Sequence, residues 1–264
     1  MTHLSAPLSV RPVRAFADNY IWLIDSPRRP NHLVAVDPGD AAPVIEELKR
    51  SGASLAAILL THHHADHIGG VSELADLGPV PIIGPNDGRI LLCTRTVADG
   101  ERVELPELGL GFDILHVPGH TLTHIAFQGH GALFCGDTLF SAGCGRMFEG
   151  TAPQMNASLG RLKALPAETR MFCGHEYTAA NLRFALTVEP DNRDTQAYRD
   201  RVQALRANGT PSLPSTLALE IKVNPFLRCE VPAVKAAAEA HTGAALPQSA
   251  EVFGALRAWK DQFR

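Results

Sequence analysis

Five side chains of types that bind metals, four histidines and one aspartate, lie within six residues in the first third of the sequence. His62, His64, Asp66 and His67 form the pattern H-x-H-x-D-H in AILLTHHHADHIGG, directly after an apolar run at residues 56–60. In layered α/β folds, loops that leave the carboxyl ends of strands are where ligand sites assemble. Imidazole and carboxylate ligands together suit zinc, iron or manganese better than calcium. The pattern therefore predicts a transition-metal site, with a solvated, histidine-rich loop as the alternative.

Three further metal-competent side chains follow short apolar runs later in the chain. VPGHT contributes His120, FCGDT contributes Asp137 and FCGHEY contributes His175, each directly after a glycine. Glycine permits the backbone turns that such a transition from strand to ligand requires. A single Gly-His or Gly-Asp pair arises easily by chance, but four segments built on one plan indicate a common site.

Seven candidate ligands are more than one ion needs, because a catalytic zinc uses three protein ligands. We therefore predict two ions with three ligands each and one shared carboxylate: metal 1 takes His62, His64 and His120, metal 2 takes Asp66, His67 and His175, and Asp137 bridges them. Two ions about 3.5–4 Å apart can hold a bridging hydroxide at neutral pH and stabilise the oxyanion of an attacked carbonyl. The predicted chemistry is hydrolysis, in which Asp66 also accepts a hydrogen bond from the hydroxide. His63 is expected to point away from the ions, because the alternation that aims its neighbours inward turns it outward.

The elements that must position these ligands alternate between short β-like runs and amphipathic helices up to about residue 173, which indicates an α/β domain. In DAAPVIEELKRSG, Asp40 is a candidate N-cap and Gly52 a candidate helix stop. After residue 174 the patterns become helical in NLRFALTV, DTQAYRDRVQALRANG, VPAVKAAAEA and VFGALRAWKDQF, with TPSLPSTLALEIKVNPF predicted to be a proline-bearing connection. We therefore expect an α/β domain over residues 1–174 and a helical domain over residues 175–264.

Composition limits the classes of partner. The 264 residues carry a formal net charge of −4, so an anionic ligand must be met by a local basic patch, and we expect no nucleic-acid partner. No uncharged apolar stretch reaches the ~18 residues of a membrane span, and MTHLSAPLSVRPVRAF has no leader pattern. The five cysteines are an odd number without a C-x-x-C pair, which favours reduced thiols. We expect a soluble, cytoplasmic monomer with no membrane partner.

Two sets of motifs resemble known families. THHHADHIGG, PGHT, CGDTLF and GHEY, in this order, resemble the metallo-β-lactamase superfamily, whose fold is an αββα sandwich with a dinuclear site at one edge. DNYIWLI, VDPGD, GDTLFSAGCGRMFEGT, GHEYTAANLRFALTVEP, NPFLR and WKDQF resemble, over nearly the whole chain, the hydroxyacylglutathione hydrolase (glyoxalase II) family. The resemblance implies a metallo-β-lactamase-like dinuclear metal domain over residues 1–174 and a helical glutathione-binding domain over residues 175–264. It implies two divalent metals per chain, zinc first and iron or manganese as alternatives.

The resemblance also implies an activity and a set of substrate contacts. The family hydrolyses S-(2-hydroxyacyl)glutathione, chiefly S-D-lactoylglutathione, to glutathione and D-lactate by attack of a metal-bridging hydroxide, a step of methylglyoxal detoxification. Arg257 and Lys260 match its carboxylate-binding pair, Arg146 matches a basic position that is often lysine, and Tyr177 matches a tyrosine that reaches glutathione. Phe148 stands where some members have a second tyrosine, so we expect it to line the pocket without a hydrogen bond, which predicts lower glutathione affinity.

Several other functions remain as alternatives. A lactamase or lactonase would keep both metals, and a persulfide dioxygenase would use a single iron; a C-terminal helix bearing Arg257 and Lys260 argues against all of these. A non-catalytic metal-binding module would be favoured by a missing ligand, yet all seven candidates are present. A nuclease is disfavoured by the net negative charge.

Overall fold

The computed structural model describes residues 8–263. The first seven residues of MTHLSAPLSVRPVRAF, the segment without a leader pattern, and residue 264 lie outside the described residues. The described residues group into two compact units. Unit 1 contains the chain up to His116 together with Thr123–Gly136, and unit 2 contains Val117–Leu122 together with the chain from Asp137 onward.

Unit 1 contains a sheet whose middle strands run parallel. Its strands, in spatial and chain order, are β1 (Val10–Ala15), β2 (Asn19–Asp25), β3 (His32–Val36), β4 (Ser54–Leu59), β5 (Ile82–Pro85) and β6 (Arg95–Val97). The pairs β1–β2 and β2–β3 are antiparallel, whereas β3 to β6 pair in parallel. Parallel strands end at the same edge of a sheet, so the residues after β3 and β4 emerge side by side.

Three helices and a buried apolar cluster complete this part of unit 1. Helix α1 (Ala41–Ser51) begins where the Asp40 side chain accepts a hydrogen bond from the Ala42 amide and ends at Gly52 in the left-handed conformation, as the sequence predicts. Helices α2 (Ala65–Ile68) and α3 (Val71–Ala75) follow β4. Buried Leu, Ile and Val side chains of the sheet and of α1 and α3 form one hydrophobic core.

A second run of strands in unit 1 is an antiparallel meander. It consists of β7 (Arg102–Leu105), β8 (Leu110–His116), β9 (Ile125–Gly129) and β10 (Ala132–Gly136), each paired with the next. The apolar, β-branched pattern of the sequence predicts strands at residues 20–24, 33–36, 56–60, 80–83, 112–117, 125–127, 132–135 and 171–173, and each of these runs overlaps a strand. Strands β1, β6 and β7 carry no such pattern in the sequence, because they are short or lie at a sheet edge and contain many exposed and charged residues.

Unit 2 is mainly helical. Its elements are the hairpin strands β11 (Leu139–Phe140) and β12 (Gly143–Cys144), α4 (Ala152–Lys163), β13 (Arg170–Cys173), α5 (Thr178–Val188), α6 (Arg193–Ala207), β14 (Ser215–Thr216), α7 (Leu217–Val223), α8 (Pro232–Thr242) and α9 (Ser249–Gln262). The interpretation of TPSLPSTLALEIKVNPF as a connection was wrong, since it contains β14, α7 and a 3-10 turn at Pro225–Leu227. The prolines at both ends of this stretch concealed a two-turn helix that begins at the Thr216 cap.

None of the helices within residues 8–263 combines the length and the hydrophobicity that a bilayer crossing requires. All five cysteines lie in the described part of the chain and are thiols, as expected.

Candidate functional site

The H-x-H-x-D-H segment forms a cluster of ligand atoms in unit 1. It leaves β4 at the carboxyl edge of the parallel strands, with His62 and His67 buried. His62 Nε2 lies 3.1 Å from His64 Nδ1, and His67 Nε2 lies 3.5 Å from Asp66 Oδ2. The His62 and His67 ring centroids are 4.2 Å apart. The four predicted ligands of this segment are therefore neighbours in space as well as in sequence.

Asp37, the residue directly after β3, accepts hydrogen bonds from two residues of this segment, Thr61 and His67. One carboxylate oxygen accepts the Thr61 amide at 2.7 Å, and the other accepts Thr61 Oγ1 at 2.7 Å and His67 Nδ1 at 3.1 Å. Asp37 is buried and has a φ of +51°, a left-handed conformation that aspartate adopts more readily than most residues. A buried residue keeps this less favourable backbone conformation when its surroundings stabilise it, and here the hydrogen bonds to Thr61 and His67 do so.

The contacts of Asp37 and Thr61 fix which ring nitrogens face outward. Thr61 Oγ1 uses its proton on Asp37, so it accepts from His62 Nδ1, which lies 3.0 Å away. His67 Nδ1 donates to Asp37 in the same way. In its neutral form, each imidazole with the proton on Nδ1 presents the lone pair of Nε2, which is the form that binds a metal.

His63 faces another group of residues in unit 1, as its place in the alternation predicts. Its Nδ1 lies 3.4 Å from the buried Asp87 carboxylate, which also accepts from Arg89 and Thr123. The Arg89 guanidinium holds the pKa of Asp87 well below its usual range. Asp87 is thus a buried, charged carboxylate that contacts the histidine segment through His63. The residues around it have a turn pattern, but no sequence pattern indicated this contact.

His124 and Gly136 pack behind the His62 ring. The imidazole of His124 is fully buried and stacks on His62 with centroids 4.6 Å apart and an interplanar angle of 18°. Gly136 has a φ of +46°, and a Cβ there would lie 2.3 Å from Thr61 Oγ1 and 2.9 Å from the His124 ring. The glycine before Asp137 is therefore required by this close approach, in addition to the turn that the sequence predicts.

Unit 2 holds the other three predicted ligands, and they converge on one carboxylate. His120 Nε2 lies 3.5 Å and His175 Nε2 lies 3.2 Å from the same oxygen, Oδ2, of Asp137. All three residues are buried, with exposed fractions of 4–6%. His120 Nδ1 donates to the Arg146 carbonyl at 2.8 Å, which leaves Nε2 as its metal-binding nitrogen.

The spacing of the ligand atoms fits divalent ions. Two ligands of one tetrahedral zinc at about 2.0–2.1 Å lie roughly 3.3 Å apart. The four pairs measured within the two clusters are separated by 3.1, 3.5, 3.5 and 3.2 Å. Neutral imidazole nitrogens and carboxylate oxygens are ligands that zinc, iron and manganese accept. The donor set and its spacing are therefore suited to such metals.

The predicted cationic contacts gather around Asp261 in unit 2. Arg257 Nη2 donates to Asp261 Oδ1 at 3.0 Å, and Arg146 Nε lies 3.4 Å from the same oxygen. The ammonium group of Lys260 lies 5.5 Å from the ring centre of Phe184. Burial, reinforced by the neighbouring cations, lowers the pKa of Lys260 to about 8. The acidic chain thus has a local basic group of the kind that an anionic ligand needs.

Arg257 differs from the surface residue that helix spacing alone would suggest. Its side chain is buried, and its Nη1 donates to the Cys144 carbonyl at 2.9 Å. Arg146, in contrast, has a side chain that is 65% exposed. Asp261, which sequence reasoning missed, is the counter-ion that links them; its place four residues after Arg257 on a helix was the available signal.

Two aromatic residues flank the unit 2 ligands. The Tyr177 ring stacks on His175 with centroids 4.7 Å apart and an interplanar angle of 5°. Phe148 is 64% exposed and contacts the His120 ring edge-on at 5.3 Å. Each ring covers a predicted ligand and leaves part of its surface accessible, which suits a residue at the wall of a binding site.

Two family models together match nearly the whole chain. The metallo-beta-lactamase superfamily model matches residues 16–175, and the model of the hydroxyacylglutathione hydrolase C-terminus matches residues 176–263. The hydroxyacylglutathione hydrolase of Photobacterium profundum is 52% identical over 259 residues, which cover 97% of this chain and 100% of the relative.

Solved structures share the fold. BLEG-1 B3 metallo-β-lactamase, at 21% identity, matches 83% of this chain and 99% of its own with a TM-score of 0.64. TTHA1623 in a di-iron-bound form, at 27% identity, matches 84% of this chain and 100% of its own with a TM-score of 0.56. These matches confirm the predicted αββα class with a helical C-terminal region. The chain belongs to the hydroxyacylglutathione hydrolase family of the metallo-β-lactamase superfamily.

Proposed function

We propose that the chain is a thioesterase that hydrolyses S-(2-hydroxyacyl)glutathione, chiefly S-D-lactoylglutathione, to glutathione and D-lactate. The observation that carries this proposal is the double role of Arg146. Its carbonyl holds the His120 ring at 2.8 Å, while its guanidinium lies 3.4 Å from Asp261, which also pairs with Arg257. Arg146 thus contacts both a predicted metal ligand and the basic group, so the two lie close enough to act on one substrate.

We infer that the ligands of both units hold two divalent ions, with zinc as the first choice and iron or manganese as alternatives. The partition is that of the sequence prediction: His62, His64 and His120 on one ion, Asp66, His67 and His175 on the other, and Asp137 on both. A single family model covers all seven residues, which supports their use together. When bound, such ions lower the pKa of a water toward neutrality and stabilise negative charge on a carbonyl oxygen.

The chain's own residues orient the reactants. Asp66 accepts a hydrogen bond from the attacking water, and Asn19 Nδ2 donates to Asp66 Oδ2 at 3.0 Å, which holds that carboxylate in place. The water oxygen bonds to the thioester carbon while one water proton passes to the Asp66 carboxylate. The carbon–sulfur bond then breaks, sulfur keeps the bonding electrons, and glutathione leaves as the thiolate. Arg257 and Lys260 bind the glutathione carboxylates, and Arg146 contacts the glutathione near the metal ligands; Asp261 accepts from Arg257 and holds its side chain in place.

The remaining assignments are consistent with this function. We propose residues 1–174 as the metal domain and residues 175–264 as the glutathione-binding domain, and a cytoplasmic monomer without nucleic-acid or membrane partners. Tyr177 donates to the glutathione backbone, and Phe148 contributes an apolar wall. The net charge of −4 and the small basic group together suit a small anionic substrate.

The decisive experiment compares two thioesters and two ligand variants. The purified protein should cleave S-D-lactoylglutathione in clear preference to a coenzyme A thioester. His62→Ala and Asp137→Ala should each lose bound metal, by elemental analysis, together with thioesterase activity. His32→Ala, a histidine whose ring lies against the Pro30 carbonyl, is the matched control and should retain both. A preference for the coenzyme A ester, or full activity in either ligand variant, would contradict the proposal.

A further inference from the structure

The hairpin β11–β12 connects two parts of the unit 2 ligand cluster. It begins two residues after Asp137 and ends two residues before Arg146, the residue whose carbonyl orients His120. Its base is closed by a hydrogen bond from the Gly145 amide to the Thr138 carbonyl at 3.2 Å. A Cβ at Gly145 would lie 1.9 Å from the Asp137 carbonyl oxygen, so the two ends touch. Any shift of this hairpin therefore moves a ligand at one end and a ligand's partner at the other.

Buried side chains from the C-terminal helices bind the main chain of the hairpin. Asn224, directly after α7, donates from Nδ2 to the Phe140 carbonyl at 3.1 Å and to the Gly143 carbonyl at 2.9 Å. Three further side chains, one from each of α5, α7 and α9, complete the set: Asn181 Nδ2 to the Ser141 carbonyl, the Ala142 amide to Glu220 Oε2, and Arg257 Nη1 to the Cys144 carbonyl. The hairpin is thus held by specific polar contacts at every residue of its turn.

Glu220 lies at the centre of these contacts and has no exposed surface. Its carboxylate accepts from the hydroxyls of Ser141 and Ser215, from the Ala142 amide and from Asn224 Nδ2. Ala142 has a φ of +54°, a conformation that a non-glycine residue adopts only when its surroundings hold it there. A buried acceptor with four donors costs stability when it is removed, because the donors lose their partner.

We propose that Glu220 and Asn224 are positioning residues for the metal ligands Asp137 and His120, acting through the β11–β12 hairpin. The inference rests on the proposed function only in taking Asp137 and His120 as ligands. Partners that hydrogen-bond a metal ligand directly change metal affinity by about 10–100-fold when they are lost. Glu220 and Asn224 act one contact further away, through the hairpin, so we expect the lower end of this range. The helical region would therefore contribute to metal binding as well as to substrate binding.

The test measures metal affinity without measuring catalysis. Zinc is titrated into metal-free protein in competition with a chromogenic chelator, and the visible spectrum of the cobalt(II)-loaded protein reports ligand geometry. Glu220→Ala and Asn224→Ala should each weaken zinc binding by about tenfold or more and alter the cobalt spectrum. Glu220→Gln should restore near wild-type values, since its oxygen can accept from Ala142 while its amide donates to the serine hydroxyls. Asn224→Ala, which leaves the Glu220 carboxylate in place, serves if Glu220→Ala does not fold.

Glu189→Ala is the matched control. Glu189 is also a buried carboxylate of unit 2, but it accepts from Nε and Nη2 of Arg228, at 2.7 and 2.8 Å, instead of binding the hairpin. Both Glu189→Ala and Glu220→Ala should lower the melting temperature, but Glu189→Ala should leave the zinc affinity unchanged. Wild-type affinity in Glu220→Ala and Asn224→Ala, or an equal loss in Glu189→Ala, would overturn the proposal. A wild-type protein that binds zinc but does not cleave lactoylglutathione would overturn the proposed function and leave this comparison intact.

Discussion

At the residue scale, three of the predicted metal ligands, His62, His67 and His120, are oriented by a partner of the Nδ1 nitrogen. His62 donates to Thr61, His67 donates to Asp37, and His120 donates to the Arg146 carbonyl. Each contact selects one tautomer and aims Nε2 at the neighbouring ligand. An imidazole that had to choose between tautomers would bind metal less tightly, because part of its population would present an N–H.

Asp37→Asn tests this selection. Asparagine tolerates the left-handed conformation at this position, so the backbone should keep its path. Its oxygen can accept the Thr61 amide, but its amide group would then face His67 Nδ1 and favour the tautomer with a proton on Nε2. We expect zinc affinity to fall by about 10–100-fold, measured by chelator competition. Unchanged affinity would show that Asp37 serves the fold alone.

At the element scale, helix α9 combines two kinds of basic residue on one face. Arg257 is buried and tied to Cys144 and Asp261, whereas Lys260 is half-buried among the rings of Phe184 and Phe263. The helix is fixed at its start by the Glu251 side chain, whose Oε2 accepts a hydrogen bond from the Gln248 amide at 2.9 Å. The lysine is thus the residue of this pair whose charge responds to pH.

Lys260 should make substrate binding sensitive to alkaline pH. Burial and the nearby Arg257 and Arg183 lower its pKa to about 8, so the ammonium is present below that pH and is lost as the pH rises through it. An anionic substrate should then bind less well, and KM for lactoylglutathione should rise above pH 8. Lys260→Arg, which keeps its charge to far higher pH, should flatten this rise. The measurement is KM by steady-state kinetics from pH 7 to 9.5. The same dependence of KM on pH in the wild type and in Lys260→Arg would contradict this prediction.

At the scale of the whole molecule, the ligands come from segments spread between residues 62 and 175. Each cluster concentrates imidazole and carboxylate groups in a buried or half-buried setting. A metal that binds such groups in the folded chain stabilises it by mass action, since the unfolded chain does not hold them together.

Removal of metal should therefore lower the melting temperature. At a free zinc concentration 100 times Kd, linkage gives about 2.7 kcal/mol of stabilisation per site. Calorimetry of chelator-treated and zinc-loaded protein should show the difference, and His62→Ala should show a smaller one. Equal melting temperatures with and without zinc would contradict a folded-state site.

The sequence by itself determined the candidate ligands and the main helices, because strand ends, caps and helical spacing are local properties. His120, Asp137 and His175 could each be identified from an apolar run, a glycine and one side chain. The basic positions Arg257 and Lys260 came from the family resemblance.

Only the tertiary structure determined which residues form hydrogen bonds with these groups and orient them. Asp37 meets Thr61 and His67 across 24 and 30 residues, and Glu220 meets Ser141 across 79, separations at which no local periodicity carries a signal. The same holds for the burial of Arg257, which its helix face alone did not reveal. Local sequence patterns identify which residues carry the reactive groups. Their hydrogen-bond partners come from distant parts of the chain, and only the tertiary fold brings those parts together.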